Sequence, residues 1–446
     1  MTLEIFKELK KQAQKNRELT LNQQLSARIK TLKNLKKWIQ DHTPDIEKAL
    51  FEDFKKPAFE TQISEILVCL TEIKYVLENL DQWAQPKVVP TPVTLWGHQS
   101  QIRYENKGVV LIIAPWNYPF QLTVMPMIAA IAAGNTIVVK PSELTQKTSL
   151  LLQKMIRDVF SFSEAQCFLG DKEITSSLLN FDFDHVFFTG STAVGRLIAE
   201  QCSKKLIPYT LELGGKSPLI IDRKADLKSA VRVIHWAKFL NAGQTCVAPD
   251  YIFAHKDIYN QFVQEFRLYT QSIHQETCTA ITPRHHQRLE ALGSLLSLQT
   301  NHPELIENTT LDQPINTEEI FGPLSAIHTF ETLDDIQPFY DKNTNPLALY
   351  IFSKNEKFIE QTLQRFPSGG VAVNTVTLHL ANHHLPFGGL KSSGQGRYHG
   401  YFGFLEFSHQ RAVLKENGGR FMTQFIQPPY SPLKTQLLKI LQFFTT

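Results

Sequence analysis

The sequence has few cysteines and no long apolar run. Its five cysteines among 446 residues, Cys69, Cys167, Cys202, Cys246 and Cys278, form neither a C-x-x-C pair nor a Cys/His cluster. That spacing argues against a zinc site and a disulfide framework, and an odd number of thiols fits a reducing compartment. No stretch reaches the roughly 18 apolar residues of a membrane span, and the N-terminus shows no signal-peptide pattern. We expect a cytoplasmic protein that binds no metal.

An excess of charge of either sign is also missing. The formal net charge is +3, 20% of the residues are charged, and the lysines and arginines are scattered. Nucleic-acid-binding proteins carry basic blocks, so we expect no nucleic-acid partner. The 42% hydrophobic content is typical of globular proteins. At about 150 residues per domain, the length predicts two or three folding units.

Helical periodicity dominates the first 85 residues. Apolar residues recur at helical spacing in Leu25–Ile39, and Thr43 followed by Pro44 is typical of an N-cap and the first helical position. From Val109 onward, apolar runs alternate with helical segments, and this alternation predicts a parallel sheet covered on both faces. A second β/α stretch begins at Tyr209. The predicted strands are Val109–Ala114, Thr136–Val139, His185–Phe188, Tyr209–Leu213, Pro218–Ile221, Tyr251–Ala254, Leu347–Phe352 and Gly370–Asn374; the predicted helices are Pro119–Ala133, Leu144–Phe160, Val194–Ser203 and Ala225–Leu240.

Two segments and the C-terminal tail fit neither pattern. Val93–Tyr104 and Gln410–Leu414 are candidates for a small accessory sheet, which periodicity alone does not establish. In the tail, residues 421–446, prolines precede a helical pattern that places Leu433, Leu437, Leu441 and Phe444 on one face. A helix docked on the body or on a partner subunit is one interpretation. A weak membrane-surface anchor is the other, and the helix is too short to span a bilayer.

Cys246 is the cysteine whose surroundings favour chemistry. A single cysteine is usually a small buried hydrophobe. Cys246, however, follows a helix in the small-residue loop Asn241-Ala-Gly-Gln-Thr-Cys246, where a thiolate nucleophile is accessible to substrate.

Glu212 and Asn117 are candidate partners for this thiol. Glu212 interrupts the apolar run before Gly214 and Gly215, which suits either a surface glutamate on an edge strand or a general base with a raised pKa. Asn117 follows the strand Val109–Ala114 and suits either a helix N-cap or an oxyanion donor. Neither residue alone decides between its two interpretations.

Segment 188–195, Phe-Thr-Gly-Ser-Thr-Ala-Val-Gly, joins a predicted strand to a helix. Helix N-termini bind phosphates through their free N–H groups. The spacing from Gly190 to Gly195 is not that of the usual dinucleotide fingerprint, so the segment alone is a weak signal.

Together these motifs resemble the aldehyde dehydrogenase superfamily across about residues 20 to 415. The matching segments are APWNYP (114–119), GNTIVVKPSE (134–143), FTGSTAVG (188–195), LELGGKSP (211–218), GQTC (243–246), EEIFGP (318–323) and PFGG (386–389). Tyr118, QTCVAPDY around the cysteine, SSGQGRYHG and the PPYSP of the tail resemble the class 3, fatty-aldehyde-dehydrogenase-like branch.

The resemblance implies an α/β fold with three parts. A Rossmann-like cofactor domain would take residues 1–85 and 106–209, and an α/β catalytic domain residues 210–395. A small β bridging or oligomerisation element would take residues 86–105 and 396–420, followed by the tail 421–446. It also implies a homodimer.

The resemblance further implies NAD(P)-dependent oxidation of a medium- or long-chain aliphatic, or aromatic, aldehyde to the acid. Cys246 would form a thiohemiacetal and then a thioester, Asn117 would hold the oxyanion, and Glu212 would activate the hydrolytic water. NAD is the expected cofactor because Glu143 would repel the 2′-phosphate of NADP, although such a glutamate does not always exclude NADP. The implied cofactor contacts are Trp116, Lys140, Glu143, Gly190, Ser191, Gly195, Glu319 and Phe321, and the implied substrate channel is Tyr118, Leu122, Trp236 and Thr245.

Two departures and two alternatives remain. Residues 163–181 and 277–308 look shortened, the latter without the usual glycine-containing strand pattern. A CoA-acylating relative would use the same cysteine but generally lacks the base at Glu212. A catalytically retired structural or binding protein on this fold is the other alternative.

Overall fold

The computed structural model describes residues 1–273, 276–292, 303–417 and 421–445. A π-helical turn, Gln62–Ile66, joins the fourth helix to the fifth. The helices are α1 (Leu3–Glu18), α2 (Leu21–Asp41), α3 (Thr43–Phe54), α4 (Ala58–Thr61), α5 (Leu67–Trp83), α6 (Gln121–Ala133), α7 (Gln146–Val159), α8 (Lys172–Leu179), α9 (Thr192–Ser203), α10 (Leu227–Phe239), α11 (Tyr259–Ser272), α12 (Pro283–Ala291), α13 (Pro314–Thr317), α14 (Leu333–Lys342), α15 (Glu356–Arg365), α16 (Gly400–Glu406), α17 (Phe421–Ile426) and α18 (Pro432–Thr445).

The strands form three sheets. They are β1 (Lys87–Val89), β2 (His98–Asn106), β3 (Val109–Ile113), β4 (Thr136–Lys140), β5 (Ala165–Cys167), β6 (His185–Gly190), β7 (Tyr209–Leu213), β8 (Ser217–Ile221), β9 (Pro249–His255), β10 (Glu304–Ile306), β11 (Leu324–Phe330), β12 (Ala348–Phe352), β13 (Gly370–Val373), β14 (Gly394–Gln395) and β15 (Ser408–Glu416).

The first sheet has the order β14-β7-β6-β3-β4-β5 and is parallel except for β14. Every residue of β3 and β4 is buried, as expected for central strands covered on both faces. Helix α6 packs against this sheet and is buried on nearly all sides. It ends at Gly134, whose φ of 83° gives the left-handed C-cap that favours glycine.

The second sheet has the order β10-β11-β9-β8-β12-β13, with every neighbouring pair parallel. Apolar clusters cover each of its faces, one built on Phe262 and Tyr350 and the other on Tyr251 and Phe253. The third, antiparallel sheet has the order β1-β2-β15. The two segments that matched neither layer, Val93–Tyr104 and Gln410–Leu414, therefore supply its long strands, and the accessory sheet is confirmed.

The α/β class and the predicted element pattern are confirmed, with two local corrections. Tyr209–Leu213, expected to open the second β/α stretch, is β7 and pairs with β6 in the first sheet. The crossover to the second sheet therefore comes after Leu213, at the two glycines. Thr43 is not an N-cap, because α3 begins at Thr43 with His42 at the cap, and the Thr43 hydroxyl donates to the Ile39 carbonyl.

The two shortened segments keep regular elements. Residues 163–181 form β5 and α8, while 277–308 hold α12 and the short strand β10. The short strand β10 contains no glycine, in agreement with the missing glycine-containing strand pattern of the second segment. Residues 293–302 lie outside the described residues.

The tail forms α17 and α18. Leu433 and Leu437 stay 65% and 38% exposed, and Lys434 donates to backbone carbonyls of Gln424 and Gln427. The two described leucines therefore keep a substantial part of their side-chain surface exposed in this chain. The side chains of Leu441 and Phe444 lie outside the described residues. No helix in the described part of the chain is long and apolar enough to cross a bilayer.

Candidate active site

A cavity of about 580 Å³ lies where the carboxyl ends of β3, β6 and β7 meet the loops of the second sheet. Ligand sites in open α/β sheets form at such strand ends. Its wall contains the predicted site residues Trp116, Asn117, Tyr118, Leu122, Gly190, Ser191, Glu212, Trp236, Thr245, Cys246, Glu319 and Phe321. Lys140, Glu143 and Gly195 lie outside that wall.

The loop before Cys246 has an unusual backbone. Asn241, Ala242 and Gly243 have successive φ values of 55°, 51° and 72°, all in the left-handed region. A Cβ on Gly243 would lie 2.1 Å from the Gly322 carbonyl oxygen, so only glycine fits there. This strained turn, packed against the loop that follows Glu319, fixes the direction from which Cys246 enters the cavity.

Cys246 is half-buried in that wall. Burial, followed by the nearby carboxylates of Glu319 and Glu212, raises the pKa of its thiol to about 12. The backbone N–H groups of Cys246 and Val247 act in the opposite direction. The thiol is therefore protonated at neutral pH in this state, and thiolate chemistry requires a base or an added positive charge.

Asn117 lies between β3 and α6 and is 4% exposed. It precedes α6 by several residues, so the N-cap interpretation is wrong. Its Nδ2 donates to the Gln244 carbonyl at 3.0 Å, and Asn241 Nδ2 donates to the same oxygen at 3.1 Å and to the Asn117 carbonyl at 2.9 Å. The Asn117 amide is thus held against the nucleophile loop.

Glu212 lies on β7 between β6 and β14, opposite Gly394. It is 3% exposed, so a surface glutamate on an edge strand is excluded. Within the part of the chain that the structure describes, neither carboxylate oxygen of Glu212 has a hydrogen-bond partner. Burial raises the pKa of Glu212 well above its usual value, with Arg397 opposing and Glu406 adding to the shift. Buried carboxyl groups without partners are uncommon, and this one is in the wall of the same cavity as Cys246.

The two glycines of the β6–α9 connection lie so close to neighbouring side chains that neither position has room for a Cβ. A Cβ on Gly190 would lie 2.5 Å from the Phe188 ring, and one on Gly195 would lie 2.5 Å from Leu213. Ser191 caps α9 by accepting from the Val194 N–H. Gly195 therefore packs the helix against β7, whereas Gly190 and Ser191 face the cavity.

Lys140 and Glu143 form a pair at the end of β4. Lys140 Nζ lies 2.6 Å from Glu143 Oε2, with the lysine side chain 5% exposed and the glutamate side chain 45% exposed. The carboxylate therefore neutralises the buried ammonium on one side and remains open to solvent on the other.

Glu319 and Phe321 lie on a tightly held loop. Arg288 donates to the Glu319 carbonyl at 3.1 Å and to the Ile320 carbonyl, and His285 Nε2 lies 2.8 Å from the Phe321 carbonyl oxygen. The Trp116 ring packs edge-on against the Phe321 ring, with 5.3 Å between the ring centroids. Because burial lowers the pKa of His285 to about 4, the imidazole is neutral at neutral pH. Helix α12 thus holds the backbone of this loop.

On the other side of Cys246, the Tyr118 hydroxyl lies 2.6 Å from Thr245 Oγ1. Leu122, on α6, and Trp236, on α10, complete an aromatic and aliphatic wall. The predicted channel residues therefore meet in one place.

The comparison with known proteins identifies the family. The model of the aldehyde dehydrogenase family matches residues 2–292 and 296–413. The chain belongs to the aldehyde dehydrogenase family.

Several relatives and solved structures resemble this aldehyde dehydrogenase along most of its length. The 4,4'-diaponeurosporen-aldehyde dehydrogenase of Staphylococcus aureus is 39% identical over 427 residues, covering 91% of this chain and 92% of the relative. Aldehyde dehydrogenase family 3 member A2 of Mus musculus is 36% identical, covering 93% and 90%. The solved substrate-bound state of Staphylococcus aureus AldH superimposes with a TM-score of 0.93 at 35% identity, covering 99% of this chain and all of that one. The predicted family, class 3-like branch and fold are confirmed.

The sequence did not reveal part of this aldehyde dehydrogenase cavity. Its wall also contains Ile63, Ser64, Val68, His285, Arg288, Thr377, Leu378, Leu380, Phe387, Tyr398 and His399. Of these, Phe387, Tyr398 and His399 belong to segments already quoted for the resemblance, so adjacency to a motif was a usable signal. The π-helical turn that carries Ile63 and Ser64 gives no such signal.

Proposed function

We propose that this aldehyde dehydrogenase oxidises apolar aldehydes to carboxylic acids through a thioester on Cys246. The observation that carries the proposal is the meeting of Cys246, Asn117 and Glu212 in the wall of one cavity. The Cys246 thiol gives its proton to the Glu212 carboxylate in the same wall, which releases it to solvent. Sγ then attacks the aldehyde carbon, and the Asn117 amide and the Cys246 N–H stabilise the resulting oxyanion. Loss of hydride from that carbon leaves the thioester.

Glu212 acts in the second half of the reaction. Its carboxylate takes a proton from water, the water oxygen attacks the thioester carbon, and the carbon–sulfur bond breaks to release the acid and the thiol. A raised pKa suits a base that works near neutral pH. The presence of Glu212 also favours water over coenzyme A as the acceptor of the acyl group, because CoA-acylating relatives generally lack this carboxyl group.

The residues present fit a nicotinamide dinucleotide, the cofactor class of the family. Gly190 and Ser191 line the cavity, and the α9 N-terminus beside Ser191 suits a pyrophosphate. Lys140 and Glu143 would hold the adenine ribose, while Trp116, Glu319 and Phe321 would hold the nicotinamide ribose. Gly195 supports this site by packing α9 on β7. A nicotinamide ring held there would supply the hydride acceptor. We favour NAD over NADP because the Glu143 carboxylate, pointing at a 2′-phosphate, would repel it.

The cavity favours medium- or long-chain aliphatic, or aromatic, aldehydes. Leu122, Trp236 and the leucines at 378 and 380 give it apolar walls, and about 580 Å³ exceeds the needs of a short aldehyde. One relative is named a 4,4'-diaponeurosporen-aldehyde dehydrogenase.

The test is the near-ultraviolet absorbance of reduced nicotinamide with hexanal or benzaldehyde and NAD or NADP. We expect turnover by the wild type, none by Cys246→Ala and at most a single-turnover burst by Glu212→Gln. Turnover by Cys246→Ala would overturn the mechanism. A wild type that neither turns over a broad aldehyde panel nor binds cofactor would support the retired-enzyme alternative.

We also propose a cytoplasmic homodimer whose small sheet meets a second copy. Trp96, Val88 and Leu414, on or next to that sheet, are 77%, 62% and 52% exposed. A light-scattering mass of one chain would contradict the dimer.

A weak membrane-surface role for α18 is a further proposal, which rests on its exposed leucines and Lys439. Equal vesicle flotation with and without residues 432–446 would contradict it.

A further inference from the structure

A buried group of charges lies behind the active-site wall, in the segment Lys56–Glu65. Lys56 and Glu65 are completely buried, and Lys56 Nζ lies 2.7 Å from Glu65 Oε1. Glu60, in the same segment, is 4% exposed. Buried ion pairs rarely add much stability, because desolvation opposes their attraction. Stability alone therefore does not explain why three charged side chains are buried within these ten residues.

Glu65 holds the start of α6. Its Oε2 accepts hydrogen bonds from the Phe120 and Gln121 N–H groups at 3.1 and 2.9 Å. These are N–H groups at the first turn of the helix, where a carboxylate is favoured. Asn117 and Tyr118 lie immediately before this turn, so Glu65 fixes the end of the loop that presents both side chains to the cavity.

Lys56 contacts the same loop from the other side. Its ammonium lies 4.0 Å from the centroid of the Tyr118 ring, a cation–π contact in a desolvated setting. The Tyr118 hydroxyl in turn lies 2.6 Å from Thr245 Oγ1, one residue before Cys246. A continuous line of contacts thus runs from the ion pair to the nucleophile.

Glu60 reaches the nucleophile loop directly. Its Oε2 accepts from the Asn241 N–H at 3.1 Å, at the first residue of the left-handed turn. The π-helical turn at 62–66 follows Glu60 and adds a residue to the helical turn. It carries Glu65 towards α6 and Ile63 and Ser64 towards the cavity. Such turns are often found at functional sites.

We propose that Lys56, Glu60 and Glu65 are positioning residues that set the placement of the Asn117 amide relative to Cys246. One short segment holds both loops, so it fixes their separation. A misplacement of about 1 Å typically costs about 100-fold in rate. The proposal deepens the proposed function and rests on it.

The first test compares Glu65→Gln with Glu47→Gln. Glu47 is the matched control because its exposed carboxylate accepts from Gln62, in the same π-helical turn, at 2.6 Å. We expect Glu65→Gln to lower kcat/KM for hexanal about 10- to 100-fold and to slow alkylation of Cys246 by iodoacetamide. Affinity for NADH, measured by fluorescence, should stay within about 2-fold, and Glu47→Gln should match the wild type.

The second test separates positioning from stability. Lys56→Met combined with Glu65→Gln removes both buried charges, which often restores stability, and keeps an amide oxygen that accepts from the Phe120 and Gln121 N–H groups. We expect a near-normal melting temperature with kcat/KM still at least about 10-fold low. If the double variant recovered both its melting temperature and its kcat/KM, the proposal would be overturned. A Glu65→Gln variant that lost stability but kept its kcat/KM would also overturn it. If the double variant does not fold, Glu60→Ala decides, because Glu60 accepts from the Asn241 N–H of the nucleophile loop: wild-type alkylation and kcat/KM in that variant would overturn the proposal. An inactive wild type would refute the proposed function, while the alkylation comparison would still test positioning.

Discussion

Asn117→Ala should separate catalysis from stability. The side chain is buried, so bulk water does not replace the lost amide when charge develops on the aldehyde oxygen. Removing one such donor costs about 2.7–4 kcal/mol of transition-state stabilisation, or about 100- to 1000-fold in rate. We therefore expect kcat to fall by that factor.

The expected stability loss is much smaller, and the structure gives the reason. The Gln244 carbonyl that accepts from Asn117 at 3.0 Å also accepts from Asn241 at 3.1 Å, so it keeps a partner. The net loss is about one hydrogen bond, roughly 1 kcal/mol. Chemical denaturation followed by circular dichroism would measure it beside the kinetics.

Thr123→Ala is the matched control. Thr123 is fully buried in α6 and donates to the Pro119 carbonyl at 2.7 Å, but it does not line the cavity. It should lose similar stability while keeping kcat within a few-fold. Near-normal turnover by Asn117→Ala, or an equal rate loss in Thr123→Ala, would refute the oxyanion argument.

Three further predictions concern the base, the turn and the cofactor. Because burial raises the pKa of Glu212 above its unfolded value, folding loses stability as pH rises between the unfolded and folded pKa values. Glu212→Gln should therefore melt at an increasingly higher temperature than the wild type from pH 4.5 upward, as measured by calorimetry. Gly243→Ala should lose more than about 2 kcal/mol in urea denaturation, because the φ of 72° is strained and the Cβ meets the Gly322 carbonyl. Glu143→Ala should raise the ratio of kcat/KM with NADP to that with NAD about tenfold, because it removes a carboxylate beside the 2′-position.

Each has an outcome that would contradict it. A pH-independent difference in melting temperature would show that Glu212 is not buried in its uncharged form. Unchanged stability of Gly243→Ala would mean that the turn relaxes at no cost. An unchanged cofactor ratio in Glu143→Ala would remove the argument for NAD.

Much of the fold followed from the sequence because its strands are either continuous apolar runs or end in recognisable turns. Val109–Ala114 and Thr136–Val139 were placed within a residue or two. The assignment of Tyr209–Leu213 to the second stretch failed because periodicity locates a strand without naming its partner. Strand pairing depends on where the chain crosses between sheets.

The residues of the site also divide into those that the sequence predicted and those that it did not. Cys246, Glu212 and Asn117 were found because each has a chemistry-bearing side chain in an otherwise apolar or small-residue segment. The charges of the 56–65 segment were missed, because its one lysine and two glutamates look like those of an ordinary exposed helix. The π-helical turn that carries the buried Glu65 has no sequence pattern of its own.

The two sheets divide the reaction between them. Asn117 lies on the loop that follows β3 and Glu212 lies on β7, both in the first sheet, whereas Cys246 lies on the loop that leads into β9 of the second. Neither half of the chain therefore holds a working set of groups. A chain severed at Gly214–Gly215 would give two inactive fragments, and their reassociation could be followed by the return of dehydrogenase activity.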